Sequence, residues 1–371
     1  MNFLFLEPFY GGSHREFANG LIANSQHRIK LVSLPARFWK WRMRGASLHF
    51  IHHISDSIFY DGIITSSLLS LADLKALIGP ACPPTLVYFH ENQLTYPLAS
   101  GERMDFQYGF TNITTALCAD RILFNSHSHL DSFLKQIPKF IGHMPEYRPF
   151  WVSEAIADKA KVLAPGCDFD TIPVILPPSS LNLNPPLIIW NHRWEFDKNP
   201  DEFFFVLDRI QSKGIEFRLA LLGERFTRIP RSFKVARKKL GKKIVHWGYL
   251  PNRKSYYQLL AKGAIVISTA IQENFGLAIV EAIRMGCLPL LPQRLCYPEI
   301  LPQQFHSDFL YSTTEELIEK TNDLLTNYPK YQSVRDQLSK AMQSYAWSQM
   351  IAEYDAELTE LKPNLRHKSN L

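Results

Sequence analysis

The stretch Ile271-Gln-Glu-Asn-Phe-Gly-Leu-Ala-Ile-Val-Glu-Ala-Ile-Arg-Met-Gly286 decides the fold class of this chain. It follows an apolar, β-branched run, residues 264–268, which predicts a buried strand. A short loop and a helix over residues 277–285 are predicted next. Backbone N–H groups at a helix start bind phosphate, and the carboxylates of Glu273 and Glu281 are strong acceptors for hydroxyls. The stretch therefore predicts a crevice for a ligand with phosphates at one end and hydroxyls at the other.

Glu281 also has a simpler interpretation. A glutamate in the early turns of a helix is favoured by the helix dipole, whatever else it does. The spacing alone leaves both interpretations open.

The length and composition predict two ordinary globular domains, and the features described below lead us to expect a cytoplasmic protein. The 371 residues include 46% hydrophobic and 20% charged residues, which argues against disorder. The five cysteines are scattered, with no C-x-x-C pair, so neither a zinc ribbon nor a disulfide framework is predicted. No apolar run reaches the roughly 20 residues of a membrane span, and no signal peptide is evident. We therefore expect a soluble protein without stable membrane insertion or an obligate protein partner; its net charge of +6 permits an anionic partner without selecting one.

The N-terminal segment has the order strand, glycine turn, helix. Residues 3–6 predict a strand, Gly11 and Gly12 a turn, and Ser13 with Glu16 a capping box at the helix start. Such a turn lets backbone approach a ligand closely, although most Gly-Gly pairs are simple turns.

A second polar site is predicted after the strand of residues 85–89. Ligands of open α/β sheets lie beyond the carboxyl ends of the strands. The four residues that follow this strand are all polar: His90, Glu91, Asn92 and Gln93. They are candidate site residues, although a single histidine is more often structural.

Basic and aromatic residues alternate between positions 37 and 44. Guanidinium groups for phosphates and aromatic rings for unpaired bases are typical of single-stranded RNA recognition. An amphipathic surface helix with its tryptophans in the core explains the pattern equally well. The candidates are Arg37, Trp39, Trp41, Arg42 and Arg44.

The second half of the chain repeats the strand–helix alternation after a proline-rich segment. Residues 171–186 contain five prolines and predict a linker. A new strand over residues 187–190 leads into a loop with Arg193 and Lys198, which are close enough in sequence to bind a diphosphate from two sides. Alternation of this kind predicts parallel sheets with helices on both faces.

Several sequence strings resemble one family. Glu273-Asn-Phe-Gly276 with Glu281 resembles the E-x-F-G…E signature of retaining nucleotide-sugar glycosyltransferases of GT-B architecture. More specific strings resemble the tRNA-queuosine α-mannosyltransferase family: Phe9-Tyr-Gly-Gly-Ser-His14, Leu34-Pro-Ala-Arg37, Phe89-His-Glu-Asn-Gln93, Asp105-Phe-Gln-Tyr-Gly109, His192-Arg-Trp-Glu195, His246-Trp-Gly-Tyr-Leu250 and Tyr297-Pro-Glu-Ile300.

The resemblance implies a GT-B fold, with two Rossmann-like, doubly wound parallel-sheet domains facing a cleft. The expected organisation is an acceptor-binding domain (1–170), the linker (171–186), a nucleotide-sugar-binding domain (187–340), and a C-terminal helix that returns to the first domain, with a polar tail (341–371). We expect Trp347 to anchor that helix.

The resemblance also implies a reaction: transfer of mannose from GDP-mannose, with retention, to queuosine in a tRNA anticodon, without a metal, because no convincing D-x-D motif is present. His90 and Glu273 are the expected catalytic residues. The expected donor-binding residues are Gly11, Gly12, Arg193, Lys198, Asn274, Phe275, Gly276 and Glu281. The expected acceptor-binding residues are Arg37, Trp39, Trp41, Arg42, Arg44, Glu91, Asn92 and Gln93.

Two alternatives remain. A transferase of the same fold could act on a lipid or polysaccharide acceptor, with residues 36–44 binding a membrane surface. The chain could instead be a non-catalytic RNA-binding module, but the complete set of Glu273, Glu281, Arg193 and Lys198 argues against this.

Overall fold

The computed structural model describes residues 1–54, 60–99, 101–170, 185–223 and 229–362. The chain divides into two compact units. Unit 1 comprises Met1–Asp168 together with the chain from Trp347 onward, and unit 2 comprises Phe169–Ala346. The linker predicted over residues 171–186 lies outside the described residues as far as residue 184, and so does the polar tail from residue 363.

The strands of unit 1 form a wholly parallel sheet in the order β2-β1-β3-β4-β5-β6. Most apolar residues of the inner strands β1, β3, β4 and β5 are buried, as expected of a parallel sheet covered on both faces, whereas those of the edge strands β2 and β6 are mostly half-buried. The strands are β1 (Asn2–Tyr10), β2 (Arg28–Pro35), β3 (Gly62–Ser66), β4 (Thr85–Phe89), β5 (Arg121–Phe124) and β6 (Ala160–Val162). The helices of this half are α1 (Gly12–Asn24), α2 (Trp39–Phe50), α3 (Leu71–Ile78), α4 (Phe106–Cys118), α5 (His127–Ile141) and α6 (Val152–Ala157).

Unit 2 repeats this plan, with the strand order β12-β11-β10-β7-β8-β9. Its strands are β7 (Leu187–Asn191), β8 (Arg218–Leu222), β9 (Ile244–Gly248), β10 (Ile265–Ile267), β11 (Leu288–Pro292) and β12 (Leu310–Tyr311). Its helices are α7 (Pro200–Ser212), α8 (Arg231–Leu240), α9 (Arg253–Leu260), α10 (Leu277–Arg284), α11 (Tyr297–Ile300), α12 (His306–Phe309), α13 (Thr314–Asn327) and α14 (Gln332–Ala341). The predicted α/β class with two parallel sheets is confirmed.

The final helix, α15 (Trp347–Thr359), packs on unit 1 although it follows unit 2 in the chain. The Trp347 indole is buried against Gly20 and Gly166, where a β-carbon at either position would overlap the ring. The Trp347 backbone N–H donates to the Cys167 carbonyl at 3.0 Å. Farther along the helix, the Asp355 carboxylate accepts from the Ser25 hydroxyl at 2.5 Å. Two glycines thus create the space that lets this helix dock.

The helices in the described part of the chain include none that is long and apolar enough to cross a bilayer.

Candidate active site

The loops after β7 and β10 carry the donor-site candidates of unit 2. The strand order reverses between these neighbouring strands, since β8 and β9 lie on one side of β7 while β10, β11 and β12 lie on the other. Such a switch point is where open α/β sheets bind ligands, beyond the carboxyl ends of the strands. The sheet therefore brings the loop containing Arg193 and Lys198 next to the loop containing Glu273.

Lys198 joins the two loops through its ammonium group. Its Nζ lies 3.0 Å from the Asp197 carboxylate and 3.4 Å from that of Glu273, and it donates to the Gln272 carbonyl at 2.5 Å. Burial by itself would lower the pKa of Lys198, but the two carboxylates outweigh it and raise this pKa above its ordinary value. Lys198 is therefore a permanent cation whose charge is shared with two protein carboxylates.

The other groups around this pair also have defined charge states. Burial by itself would raise the pKa of Glu273, but Lys198 outweighs it and the pKa is lowered, so the carboxylate stays ionised. Burial, aided by Lys198, lowers the pKa of His192 to about 4, so its imidazole is neutral. Arg193 is half exposed and pairs with Glu195 at 3.2 Å. Of the two predicted phosphate-binding residues, Arg193 is thus the more accessible.

Glu281 lies in the second turn of α10 and belongs to a different hydrogen-bond network. Tyr256 donates to its Oε2 at 3.0 Å and Tyr257 to its Oε1 at 2.7 Å, while Arg253 lies 3.6 Å away. The pKa of each tyrosine is raised by burial and then by Glu281, so both hydroxyls remain donors. The network fixes the direction of Glu281, which the helix dipole alone does not require.

The residues between these two glutamates have distinct roles. Gly276 precedes α10 with φ of 83°, a conformation that other residues rarely adopt. Phe275 is buried and packs edge-on against Tyr345 with ring centroids 5.3 Å apart, so its side chain anchors the loop. The Asn274 carboxamide accepts from Gln272 at 2.9 Å.

The glycine turn of unit 1 differs from its prediction in one respect. Helix α1 begins at Gly12 with Gly11 as its N-cap and has no side-chain cap, so the capping box predicted for Ser13 is wrong. The reason is packing: a β-carbon on Gly11 would overlap Ala36, and Gly12 has φ of 51°. The two glycines allow the helix to start two residues earlier than predicted.

A buried charge cluster follows this turn. The His14 imidazole lies between two carboxylates, with Nδ1 3.2 Å from Glu7 Oε1 and Nε2 3.2 Å from Glu91 Oε2. Burial by itself would lower the pKa of His14, but Glu7 and Glu91 raise it to about 10. His14 is therefore an imidazolium at neutral pH that connects β1, α1 and the residue after His90.

His90 lies against this imidazolium with its ring tilted. The two rings are 4.1 Å apart between centroids. Burial, and then the charge of His14, lowers the pKa of His90 well below its ordinary value, so His90 is neutral. A neutral imidazole in contact with a fixed cation can orient a ligand by hydrogen bonding without adding charge.

These residues also form a candidate metal-binding group within the described part of the chain. Ligand atoms of Glu7, His14 and His90 lie within 4.8 Å of one another. Both nitrogens of His14 face carboxylates, those of Glu7 and Glu91.

Asn92 and Gln93 are held by local structure. The Asn92 carboxamide accepts from the N–H groups of Leu94 and Thr95 at 2.9 Å and donates to the Thr95 hydroxyl at 2.9 Å. The Gln93 backbone N–H donates to Asn112 at 2.7 Å. The Asn92 side chain, at least, shapes the turn after Glu91.

The segment 37–44 leads into α2, and most of its basic and aromatic side chains lie at the surface. Trp41 is 78% exposed, and Trp39 packs at the surface against Tyr108, with ring centroids 5.1 Å apart. Arg37 and Arg44 are also exposed, whereas Arg42 is half-buried. The interpretation that both tryptophans belong to the core is therefore wrong, while the predicted RNA contact stays a prediction.

Sequence reasoning missed several residues that contact the predicted site residues. Glu7 had a signal, because it is a charged residue inside the otherwise apolar run of β1. No sequence signal pointed to Tyr256 and Tyr257, because two adjacent residues of a helix do not ordinarily contact the same side chain. His14 ends one of the sequence strings that resemble the family, but its contact with Glu91 joins residues 77 positions apart.

Comparison with known proteins identifies the family. Residues 2–167 match the family model "tRNA-queuosine alpha-mannosyltransferase N-terminal", and residues 173–343 match "Glycosyl transferases group 1". A tRNA-queuosine alpha-mannosyltransferase of Drosophila melanogaster is 37% identical over 342 residues, covering 90% of this chain and 89% of the relative.

Solved structures agree on the fold at low sequence identity. Sucrose-phosphate synthase from Thermosynechococcus elongatus superposes with a TM-score of 0.77 at 13% identity, covering 97% of this chain and 99% of the other. The HepE protein of Anabaena in complex with UDP gives 0.69 at 16% identity, covering 97% and 100%. The fold is thus that of GT-B glycosyltransferases. With a relative of this identity along nearly its whole length and a family model that matches its N-terminal half, the chain is a glycosyltransferase that belongs to the tRNA-queuosine alpha-mannosyltransferase family.

Proposed function

We propose that this protein transfers mannose from GDP-mannose, with retention, to the cyclopentenediol of queuosine in a tRNA anticodon. The observation that carries the proposal is the 37% identity to the Drosophila enzyme over 90% of the chain. The N-terminal half matches a model that is specific to the tRNA-queuosine alpha-mannosyltransferase family, and this supports queuosine tRNA as the acceptor. The other half matches the general group 1 model, which names no acceptor.

The charges of unit 2 support a nucleotide-sugar donor. When the nucleoside diphosphate leaves, negative charge builds on its phosphates and needs fixed positive groups nearby. Arg193 and the N-terminus of α10 supply them in the proposal, and Lys198 contributes a charge that Glu273 and Asp197 moderate. Glu281, aimed by its two tyrosines, binds the donor ribose hydroxyls, and Glu273 binds the transferred mannose.

The acceptor chemistry is assigned to unit 1. Neutral His90 orients the sugar or the acceptor by hydrogen bonding, and Glu91 accepts from an acceptor hydroxyl while holding His14. The leaving phosphate takes the acceptor proton, since no protein nucleophile is assigned. We further propose that the reaction needs no metal ion and takes place in the cytoplasm.

The test is a transfer assay with purified protein, labelled GDP-mannose and queuosine-containing tRNA, with the same tRNA lacking queuosine as control. Label in the queuosine tRNA alone is the expected result. Label in neither tRNA, with a sugar nucleotide still hydrolysed, would refute the acceptor and leave the glycosyltransferase assignment intact. Labelled GDP-glucose in parallel tests the sugar.

A further inference from the structure

The strongest charge concentration of the molecule lies on α8 and the turn after it, outside the donor loops. Residues 231–243 contain seven of the 41 lysines and arginines and none of the 35 acidic residues. The rest of the chain therefore carries 34 basic and 35 acidic residues, and the whole positive excess of this protein resides in one short segment. We propose that this segment is a second tRNA-binding surface, which contacts phosphates; this rests on the proposed function.

Four of these cations form one stripe along the helix. Arg231, Lys234, Lys238 and Lys242 are exposed and follow one another at intervals of three, four and four residues. That spacing places the first three on one face of α8, and Lys242 lies in the 3₁₀ turn Gly241–Lys243 that follows the helix directly. We call these four residues the α8 stripe. At 1.5 Å per residue the stripe extends over about 16 Å, long enough for several consecutive phosphates of a nucleic-acid strand.

The neighbouring basic residues are engaged elsewhere. Lys239 pairs with Asp208 at 3.1 Å and Lys243 with Glu216 at 2.7 Å, while the Arg237 guanidinium lies 5.2 Å from the Trp247 ring centre. The four residues of the α8 stripe, by contrast, form no ion pair with any described residue. Their charge is available to an external anion.

Helix stability does not explain this arrangement. Basic residues near a helix C-terminus are favourable, but Arg231 and Lys234 lie in the first turns of α8, where the dipole disfavours them. Lys234 and Lys238 also repel one another at a spacing of four, by roughly 0.2–0.5 kcal/mol. The unfavourable placement of Arg231 and Lys234 at the start of α8 is expected of a binding surface rather than of a solvated face.

The shape of α8 favours nucleic acid over a membrane. A helix that binds a bilayer surface inserts an apolar face between the lipids. The apolar residues Phe233, Ala236 and Leu240 are buried in unit 2, and Phe233 stacks on Trp194 with centroids 4.3 Å apart. Val235 is the exposed apolar residue of the helix. The exposed face therefore offers charge without an apolar anchor.

The test compares two triple variants of the full-length protein with the same change of net charge. The stripe variant is Lys234→Gln, Lys238→Gln, Lys242→Gln; the control replaces the exposed lysines Lys262, Lys330 and Lys340 of unit 2 by Gln. The Kd of queuosine tRNA is measured as a function of salt concentration. Each lost phosphate contact lowers the slope of log K against log salt by roughly 0.7–0.9. We expect the stripe variant to lose about 2–3 in slope and to bind roughly tenfold to a hundredfold more weakly at low salt.

Donor hydrolysis by the stripe variant should equal that of the wild type. Its thermal unfolding temperature should be equal or slightly higher, because the substitutions relieve repulsion. Equal tRNA slopes for the stripe and control variants would overturn the inference alone. Loss of binding to vesicles containing phosphatidylserine, with tRNA binding unchanged, would overturn it in favour of a membrane surface. A wild-type protein that neither binds nor mannosylates tRNA would overturn the proposed function as well.

Discussion

The His14 imidazolium predicts a specific pH dependence of stability. It lies between Glu7 and Glu91, and its side chain is only 5% exposed. Its pKa is about 10 in the folded protein, against 6.5 as its ordinary value. A raised pKa means that the folded state holds the proton more tightly than the unfolded state. The stabilisation is therefore complete below pH 6.5 and is lost as the pH rises through 10.

The magnitude follows from linkage between proton binding and folding. With these two pKa values, protonation of His14 contributes about 4 kcal/mol to the free energy of unfolding at pH 7 and about 1.4 kcal/mol at pH 9. Replacing His14 by Gln removes this contribution and leaves the buried Glu7 carboxylate without its cation, a loss of roughly 3–5 kcal/mol. The difference between wild type and His14→Gln should therefore shrink by about 2–3 kcal/mol between pH 7 and pH 9.

The assay is urea unfolding of wild type and His14→Gln at several pH values between 6 and 10. Taking the difference at each pH removes the titration of other groups. The double variant Glu7→Gln/His14→Gln should recover part of the loss at pH 7, since no buried carboxylate is left unpaired. A difference that stays constant from pH 7 to pH 9 would refute the assignment of a charged His14.

Three further predictions concern other parts of the molecule. Tyr257→Phe removes the 2.7 Å bond to Glu281, so GDP should bind roughly tenfold more weakly by calorimetry, whereas Tyr147→Phe at an exposed position should have no effect. Gly20→Ala pushes a methyl group into the Trp347 indole and should lower the free energy of unfolding by about 1–3 kcal/mol; Gly45→Ala, with open space around it, should not. Replacing Arg42 and Arg44 by Gln should weaken tRNA binding while donor hydrolysis continues, and equal loss of both would contradict an RNA-contact role.

Much of the candidate site was predictable, because its residues follow strands. The run of residues 264–268 and the helix-compatible residues after Gly276 place Glu273 in a loop at the carboxyl end of a parallel strand. Arg193 and Lys198 follow another such strand. Since parallel strands end at one edge of the sheet, the approach of these two loops follows from local pattern and general topology.

The charge state of that site was not predictable. From the sequence, Lys198 is predicted to bind phosphate. In the structure its ammonium group forms ion pairs with Asp197 and Glu273. The side chains that hold Glu281 come from α9, 24 and 25 residues earlier. Contacts of this kind depend on strand order and helix placement, which the local spacing of residues does not encode.

By itself, the sequence determined which segments are strands and helices and which loops carry the chemistry, because burial periodicity and loop composition are local properties. Only the tertiary structure decided which charges meet. It brought Glu91 to His14 across 77 residues and set α15 on unit 1, where the absence of β-carbons at Gly20 and Gly166 leaves room for Trp347. Both outcomes depend on close packing between segments distant in the chain, where one missing methyl group makes space for an entire ring.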